Sequence, residues 1–348
     1  MTIAAIVLAA GSGSRFEGET HKLRADILGR PVLSWTLDAV SAAGFDEVIV
    51  VVGEDRYTDL LPASVVVVEC PDWELGQAHS VQAGLGESKN RGHDSVVVGL
   101  ADQPLVGART WRNLRLTDEG PIVATTYAGR RRPPTRLHKS VWDRVPTEGD
   151  AGARQLFEEA PELVSELASA GDPTDVDTIE SLALVRQRAQ DIEAVTELLG
   201  RSPMGPFEVA VRDEAGNPVV LKNFPVLADG RPMPTLYWLC GDRESMLVGR
   251  LESMKGVRRA EADVGLAPIA NAHDRYRDER DAVLASSGVT PVHVPTGGVG
   301  GTRQGVKCLH AHYGWWLAGG DDPVGQWVAD HLHEVDYPNW PAPRTEDS

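Results

Sequence analysis

A short apolar run, Ile3–Ala10, breaks off at Gly11, and a turn of small residues, Gly11-Ser12-Gly13-Ser14, leads from it to Arg15 and Lys22. No other stretch limits the fold as tightly. The run is rich in Ile, Val and Ala and bounded by Gly, the pattern of a strand buried on both faces of a parallel sheet. Glycines just past such a strand let backbone N–H groups close around an anion without Cβ interference, and two nearby cations can hold a polyphosphate. Two familiar loops are excluded by the residues themselves. A Walker loop ends in Gly-Lys-Ser/Thr where this chain has Arg15-Phe16, and the dinucleotide fingerprint needs a third glycine where Phe16 stands. Taken alone, the loop is also readable as a tight strand-to-helix turn with two solvated cations, so its meaning rests on what lies downstream.

Downstream, strand and helix patterns alternate. Pro31–Ala43 carries Val32, Leu33, Leu37 and Val40 at the spacing of an amphipathic helix, with Gly44 suited to its C-cap. Glu47–Val52, Val65–Glu69 and Ser95–Ala101 read as buried strands, and Gln77–Glu87 and Val106–Leu116 as helices. Such alternation predicts a mostly parallel sheet covered on both faces, with ligands at the carboxyl ends of its strands. Asp102 follows the strand at Ser95, on the same edge as the first loop if the strands are parallel. A carboxylate there can hold Mg²⁺ against phosphates gathered by Arg15 and Lys22; its ordinary alternative is an N-cap or Asx turn. Gly149–Arg154 is another small-residue turn opening a helix. In Asp175-Val176-Asp177-Thr178 the carboxylates alternate, so both can face one side of an extended stretch, and Asp177 is a second, weaker metal candidate beside ordinary helix capping.

Taken in order, Leu8-Ala9-Ala10-Gly11-Ser12-Gly13-Ser14-Arg15-Phe16 with Lys22, Gly29-Arg30-Pro31-Val32-Leu33, Gly76-Gln77-Ala78-His79-Ser80, Ala101-Asp102-Gln103-Pro104, Gly149–Arg154 and Asp175–Thr178 resemble the molybdenum cofactor cytidylyltransferase family, within the wider nucleotidyltransferase group. The resemblance covers roughly residues 1–185. It implies a Rossmann-like α/β nucleotidyltransferase domain with Leu8, Ala9, Ala10, Gly11, Ser12 and Gly13 against the nucleotide, Arg15 and Lys22 on its phosphates, and Ser80 in the base and ribose pocket. Arg15, Lys22 and Asp102 would carry the chemistry, with Mg²⁺ on Asp102; Asp177, read from its spacing, is the second metal candidate. The substrates would be an NTP, CTP favoured by the Leu-Ala-Ala-Gly start, and a phosphorylated acceptor such as molybdopterin, with pyrophosphate released. Relatives carry His-Pro where this chain has Arg132-Pro133, after the run Arg130-Arg131-Arg132. Such a run reads first as a solvated loop, and beside an active site as a grip on an anionic acceptor. The alternatives are guanylyl transfer to an acceptor such as phospholactate, or a non-catalytic nucleotide-binding module that docks a partner through its C-terminal part.

A chain of 348 residues is long for one core, and the breaker-rich stretch Arg201–Pro206 divides it into expected domains at 1–200 and 201–335, with a polar tail at 336–348. The net charge of −17 argues against nucleic acid or anionic membrane as a general partner. No basic segment precedes the first apolar run and no stretch is long enough to span a bilayer, so a cytoplasmic address is expected. Cys70, Cys240 and Cys308 form no disulfide framework. No protein partner is legible.

The second half reads as a smaller α+β domain. A helix over Glu180–Leu199 precedes the boundary, Phe207–Arg212 and Pro218–Lys222 flank a turn as a hairpin, and helical patterns follow at Asp242–Lys255, Pro268–Ala285, Gly305–Ala318 and Val324–His333. The stretches from Asp229 to Leu239 and from Gly305 to Tyr313, with its Lys-Cys-Leu-His-Ala-His-Tyr core, resemble an uncharacterised bacterial domain family and imply no mechanism. Cys308 and His312 share a helix face, or Cys308, His310 and His312 a strand face, and either set can bind Zn²⁺ with Cys240 or His273. Buried Cys and hydrogen-bonded His in a Trp-rich core is the favoured expectation, with Trp315 and Trp316 in that core.

Overall fold

The computed structural model describes residues 1–127, 129–149, 154–169, 171–227, 231–287, 291 and 293–337; the turn residues 150–153, Asp229-Gly230 and the expected tail from 338 onward lie outside them. Two compact units divide the chain, Met1–Gln190 and Asp191–Ser348.

In the first unit the elements run β1 (Ile3–Ala9), β2 (Asp26–Ile27), β3 (Arg30–Pro31), α1 (Val32–Ala43), β4 (Glu47–Val52), β5 (Val66–Glu69), α2 (Gln77–Asn90), β6 (Ser95–Leu100), α3 (Ala108–Leu116), β7 (Ile122–Tyr127), β8 (Arg130–His138), α4 (Arg154–Glu159) and β9 (Val164–Ala168), and α5 (Ile179–Leu199) carries the chain onward. Seven strands form one sheet in the order β5-β4-β1-β6-β8-β7-β9. β1 pairs in parallel with both β4 and β6, β4 with β5, and β7 with β9, while β8 alone runs antiparallel to its neighbours. The runs of β1, β4 and β6 thus occupy interior positions of the sheet, where both faces are covered, whereas the run expected as a buried strand at Val65–Glu69 forms the edge strand β5, with Val67 44% exposed, because only β4 flanks it. Ile6, Val96 and Val98 join Val81 and Leu85 of α2 in one core layer. On the opposite face, a Cβ added to Gly99 would meet Trp111 of α3 at 2.4 Å, so the absence of a side chain lets the indole lie on the sheet.

The arginine run also departs from its expectation. Arg130-Arg131-Arg132 is not a loop: it opens β8, where Arg130 pairs with Tyr127 and Arg131 with Thr126 across the ladder. The backbone hydrogen bonds of a strand are indifferent to side-chain charge, and these side chains are exposed, so pairing overrides the polar composition.

In the second unit, β10 (Phe207–Arg212), β11 (Pro218–Asn223) and β12 (Tyr237–Leu239) form a three-stranded antiparallel sheet. The helices α6 (Asp242–Ser253), α7 (Gly256–Val264), α8 (Leu266–Ser287), α9 (Leu309–Leu317) and α10 (Pro323–His331) follow. Their core joins Val220, Leu247, Val248, Tyr276, Leu309, Trp315 and Val328, with Trp316 packed at its margin. The helix expected from Gly305 begins only at Leu309, because Gly305 lies at φ +61° and Cys308 is extended at φ −155°. The end of α5 packs Val195 and Leu198 against Leu221 and Cys240, which places the last turns of that helix in this unit. Among the described residues no helix is long and apolar enough to cross a membrane.

Candidate functional site

β1 and β6 run side by side in parallel, with Leu8 opposite Leu100, so the Gly11 loop and Asp102 leave the sheet at the same edge. Lys22 opens a short 3₁₀ turn, Lys22–Arg24, which returns the chain beneath that loop. Its ammonium donates to Asp102 Oδ2 at 2.5 Å and to Asp177 Oδ1 at 2.8 Å. Arg15 reaches the other oxygen of Asp177 at 2.8 Å, with its own side chain 76% exposed. The Asp175–Asp177 stretch is tied to the sheet edge by its backbone, as Val176 N–H donates to the Asp102 carbonyl at 2.9 Å. Burial works to lower the Lys22 pKa, but the charge of Asp102 and the hydrogen bonds that Lys22 donates to both carboxylates outweigh it and hold the ammonium above its ordinary range.

The loop itself is pinned by a residue that no sequence signal singled out. His21 Nδ1 accepts from Leu23 N–H at 3.2 Å, so the other ring nitrogen carries the proton and donates to the Gly11 carbonyl at 3.1 Å. Tyr57 then donates its hydroxyl to His21 Nδ1 at 3.1 Å. Burial lowers the His21 pKa, which suits the neutral ring that this pattern needs. Gly13 lies at φ +64°, and a Cβ there would come within 3.0 Å of His21 Nε2 and 3.3 Å of the Lys22 stem. Its bare backbone is what lets loop and turn close together.

Asp175 is the second residue that sequence reasoning passed over as an individual, although the alternate spacing with Asp177 signalled it. It accepts from Gln103 Nε2 at 2.9 Å. Burial, and then the charge of Asp102, push its carboxyl up to about 6. Three carboxylates thus face two side-chain cations, and Asp102 Oδ1 is buried without a hydrogen-bond partner among the described residues. The orphaned Asp102 oxygen, with Asp177 beyond Lys22, offers two carboxylates at most to a hard divalent cation, which takes oxygen ligands.

The other expected residues fall as follows. Leu8, Ala9 and Ala10 are buried at the end of β1, and Gly11 and Ser12 are exposed beyond it. Ser80 is buried on α2, and its hydroxyl donates to Cys70 Sγ at 4.0 Å, outside the Lys22 hydrogen-bond network. In the second unit the zinc candidates have separate partners. Cys240 Sγ faces the Pro218 and Val219 carbonyls, and His310 sits 3.2 Å from Glu252. His312 Nδ1 bonds Asp322 at 2.7 Å, and both ring nitrogens of His273 bond backbone groups. No group of three or more ligand-type residues able to hold a metal occurs among the described residues.

Known proteins divide along the same line as the structure. Residues 5–166 match the MobA-like NTP transferase domain family, and residues 209–330 match a protein family of unknown function, DUF501. The bifunctional protein GlmU of Zymomonas mobilis subsp. mobilis is 33% identical over 151 residues, which is 40% of this chain but only 32% of that protein. The purine catabolism protein PucB of Bacillus subtilis is 27% identical over 196 residues, 52% of this chain and 95% of that protein. Among solved structures, Rv0371c from Mycobacterium tuberculosis H37Rv is similar at a TM-score of 0.49 and 29% identity, covering 53% of this chain and 97% of that one. The chain carries a MobA-like NTP transferase domain at residues 5–166 and a DUF501 domain at residues 209–330.

Proposed function

We propose that the first unit transfers a nucleoside monophosphate from an NTP, CTP by preference, to a phosphorylated small-molecule acceptor such as molybdopterin. The observation that carries the reading is the Lys22 ammonium held between Asp102 and Asp177 at the carboxyl ends of parallel strands, beside a glycine loop pinned by His21. The backbone from Gly11 to Gly13 receives the nucleotide, and Ser80 on α2 is assigned to its base and ribose side. An acceptor phosphate oxygen attacks the α-phosphorus in line. The bond to the bridging oxygen breaks and pyrophosphate leaves with the electron pair. Arg15 and Lys22 neutralise the charge spread over the phosphate oxygens as that bond breaks. Arg15 is exposed enough to swing from Asp177 onto an incoming phosphate. A divalent cation such as Mg²⁺, held by Asp102 with Asp177, would supply further charge neutralisation there.

The exposed cations of β8 favour a second reading, in which nucleotide binds without turnover, because they stand where relatives carry the acceptor-side His-Pro. One experiment separates the two: incubation with each NTP, Mg²⁺ and a panel of phosphorylated acceptors, with pyrophosphate as the readout. Release with CTP and molybdopterin supports cytidylyl transfer, and release with GTP and phospholactate supports the guanylyl alternative. Nucleotide-dependent thermal stabilisation with no pyrophosphate from any pair supports the binding module.

A further inference from the structure

The second unit holds a cavity of about 550 Å³ between one face of α8 and the segment 294–298, with Arg303 at its edge. Its cations are all arginines: Arg277, Arg280 and Arg303. Two carboxylates, Asp274 and Asp281, also line it, so the arginine charge exceeds the carboxylate charge by one in a chain whose net charge is −17. Such a local excess runs against the average field of the protein.

The three arginines are unequally engaged. Arg280 has its side chain 1% exposed; it donates from Nε and Nη2 to Asp281 Oδ1 and from Nη1 to the Gly297 carbonyl. Three of the roughly five N–H groups of a guanidinium are then used, and the rest have no partner among the described residues. Among the described residues Arg277 pairs with Asp274 alone, the two side chains exposed by 44% and 61%, a contact that water screens and a ligand can replace. Arg303 is exposed and makes no hydrogen bond or ion pair among the described residues. Beside these forks lies an apolar wall of Ala270, Pro295 and Val294, the last 62% exposed. Planar forks suit phosphate oxygens, and an exposed apolar wall next to them suits the organic body attached to a phosphate. The volume lies within the range of small-molecule pockets.

We propose that this cavity binds a phosphorylated small organic molecule, its phosphate held by Arg277 and Arg303 against buried Arg280 and its organic part resting on Val294 and Pro295. The site lies wholly within the second unit and does not depend on nucleotidyl transfer in the first.

The test is isothermal titration of the full chain with AMP, ribose 5-phosphate and inorganic phosphate, in the wild type and in Arg303→Ala, Arg277→Ala and Lys22→Ala. At least one organic phosphate binds more tightly than inorganic phosphate. Arg303→Ala and Arg277→Ala each weaken it about 10- to 100-fold, the weight of one charge-assisted hydrogen bond. Melting temperatures of these variants stay at the wild-type value, since both side chains are exposed, and Lys22→Ala leaves the affinity within about twofold, below the weight of a single hydrogen bond. Binding lost in Lys22→Ala, binding unchanged in both arginine variants, or no binding at millimolar ligand overturns the site. Inorganic phosphate bound as tightly as the organic phosphates overturns the assignment of an organic ligand.

Discussion

The two units use charge in opposite ways. In the first, charged side chains gather at the ends of parallel strands, where Lys22 holds two carboxylates and one carboxylate oxygen is left over. In the second, charge is folded into the helical core: Glu279 accepts from Tyr237 at 2.5 Å and from Trp315 at 3.0 Å, and Asp322 bonds His312 while capping α10 through Val324 and Gly325 N–H. Both clusters keep one unpartnered buried atom, Asp102 Oδ1 in the first and His312 Nε2 in the second, but the first lies at a sheet edge beside an exposed loop while the bonds of the second tie core elements together and fix their positions.

The largest effect that sharpens this contrast is on turnover. Lys22→Ala and Asp102→Ala are each expected to lower pyrophosphate release about 100- to 1,000-fold, the usual weight of one preorganised charge at a reacting phosphate or carbonyl, measured below the melting transition of each variant because both changes leave part-buried charge unpaired. Full activity in Asp102→Ala would remove the metal role assigned to it. The second unit should answer through stability instead. Asp322→Ala strips the α10 cap and leaves the His312 donor buried and unsatisfied, an expected loss of about 2–4 kcal/mol by urea denaturation. Turnover measured below the melting transition is expected to stay at the wild-type level, and a parallel fall in activity would break the comparison.

A smaller change is expected at the loop. His21→Ala frees the Gly11 carbonyl and should raise KM for the nucleotide about tenfold while moving kcat less, since one hydrogen bond that orients a binding loop is at stake. A fall in kcat with KM unchanged would place His21 in the chemistry instead.

The smallest effect is a pH profile. Burial works to raise the Glu252 carboxyl, but His310 and the backbone lower it below 4.5; burial works to lower His310, but Glu252 raises it above 6.5. The depressed carboxyl contributes stability above pH 4.5 that is lost as pH falls through its folded value. The raised imidazole contributes stability below pH 6.5 that is lost as pH rises through its folded value. The difference in urea midpoint between wild type and Glu252→Gln is therefore expected to peak between pH 4.5 and 6.5 and shrink on either side. A difference that stays flat from well below pH 4.5 to well above pH 6.5 would show that the pair is silent.

Much of the first unit was legible because its signals are local. Glu47–Val52 is a strand at the bounds read from the sequence, and Val32–Ala43 is a helix one residue shorter than expected. Continuous apolar runs and 3.6-residue periodicity survive folding when the burial they imply is available. The strand β8 was not legible, because three arginines and two prolines carry no strand pattern, and only the partner edges of β6 and β7 make one. α7 was missed for a related reason: its bounds are set by Lys255 at φ 62° and Gly265 at φ 85°, not by its own apolar spacing.

By itself, the sequence determined that a buried strand ends in a glycine turn with Arg15 and Lys22 beyond it, and that Asp102 and Asp177 follow in that order. Composition, spacing and glycine stereochemistry act within a few residues, so they can be read along the chain. Only the tertiary structure decided that Lys22 lies between Asp102 and Asp177, that His21 holds the Gly11 carbonyl, and that the arginines of α8 face Arg303 across a cavity. Those contacts join residues ten to 155 positions apart, and their geometry exists only once the sheet and helices that carry them have packed.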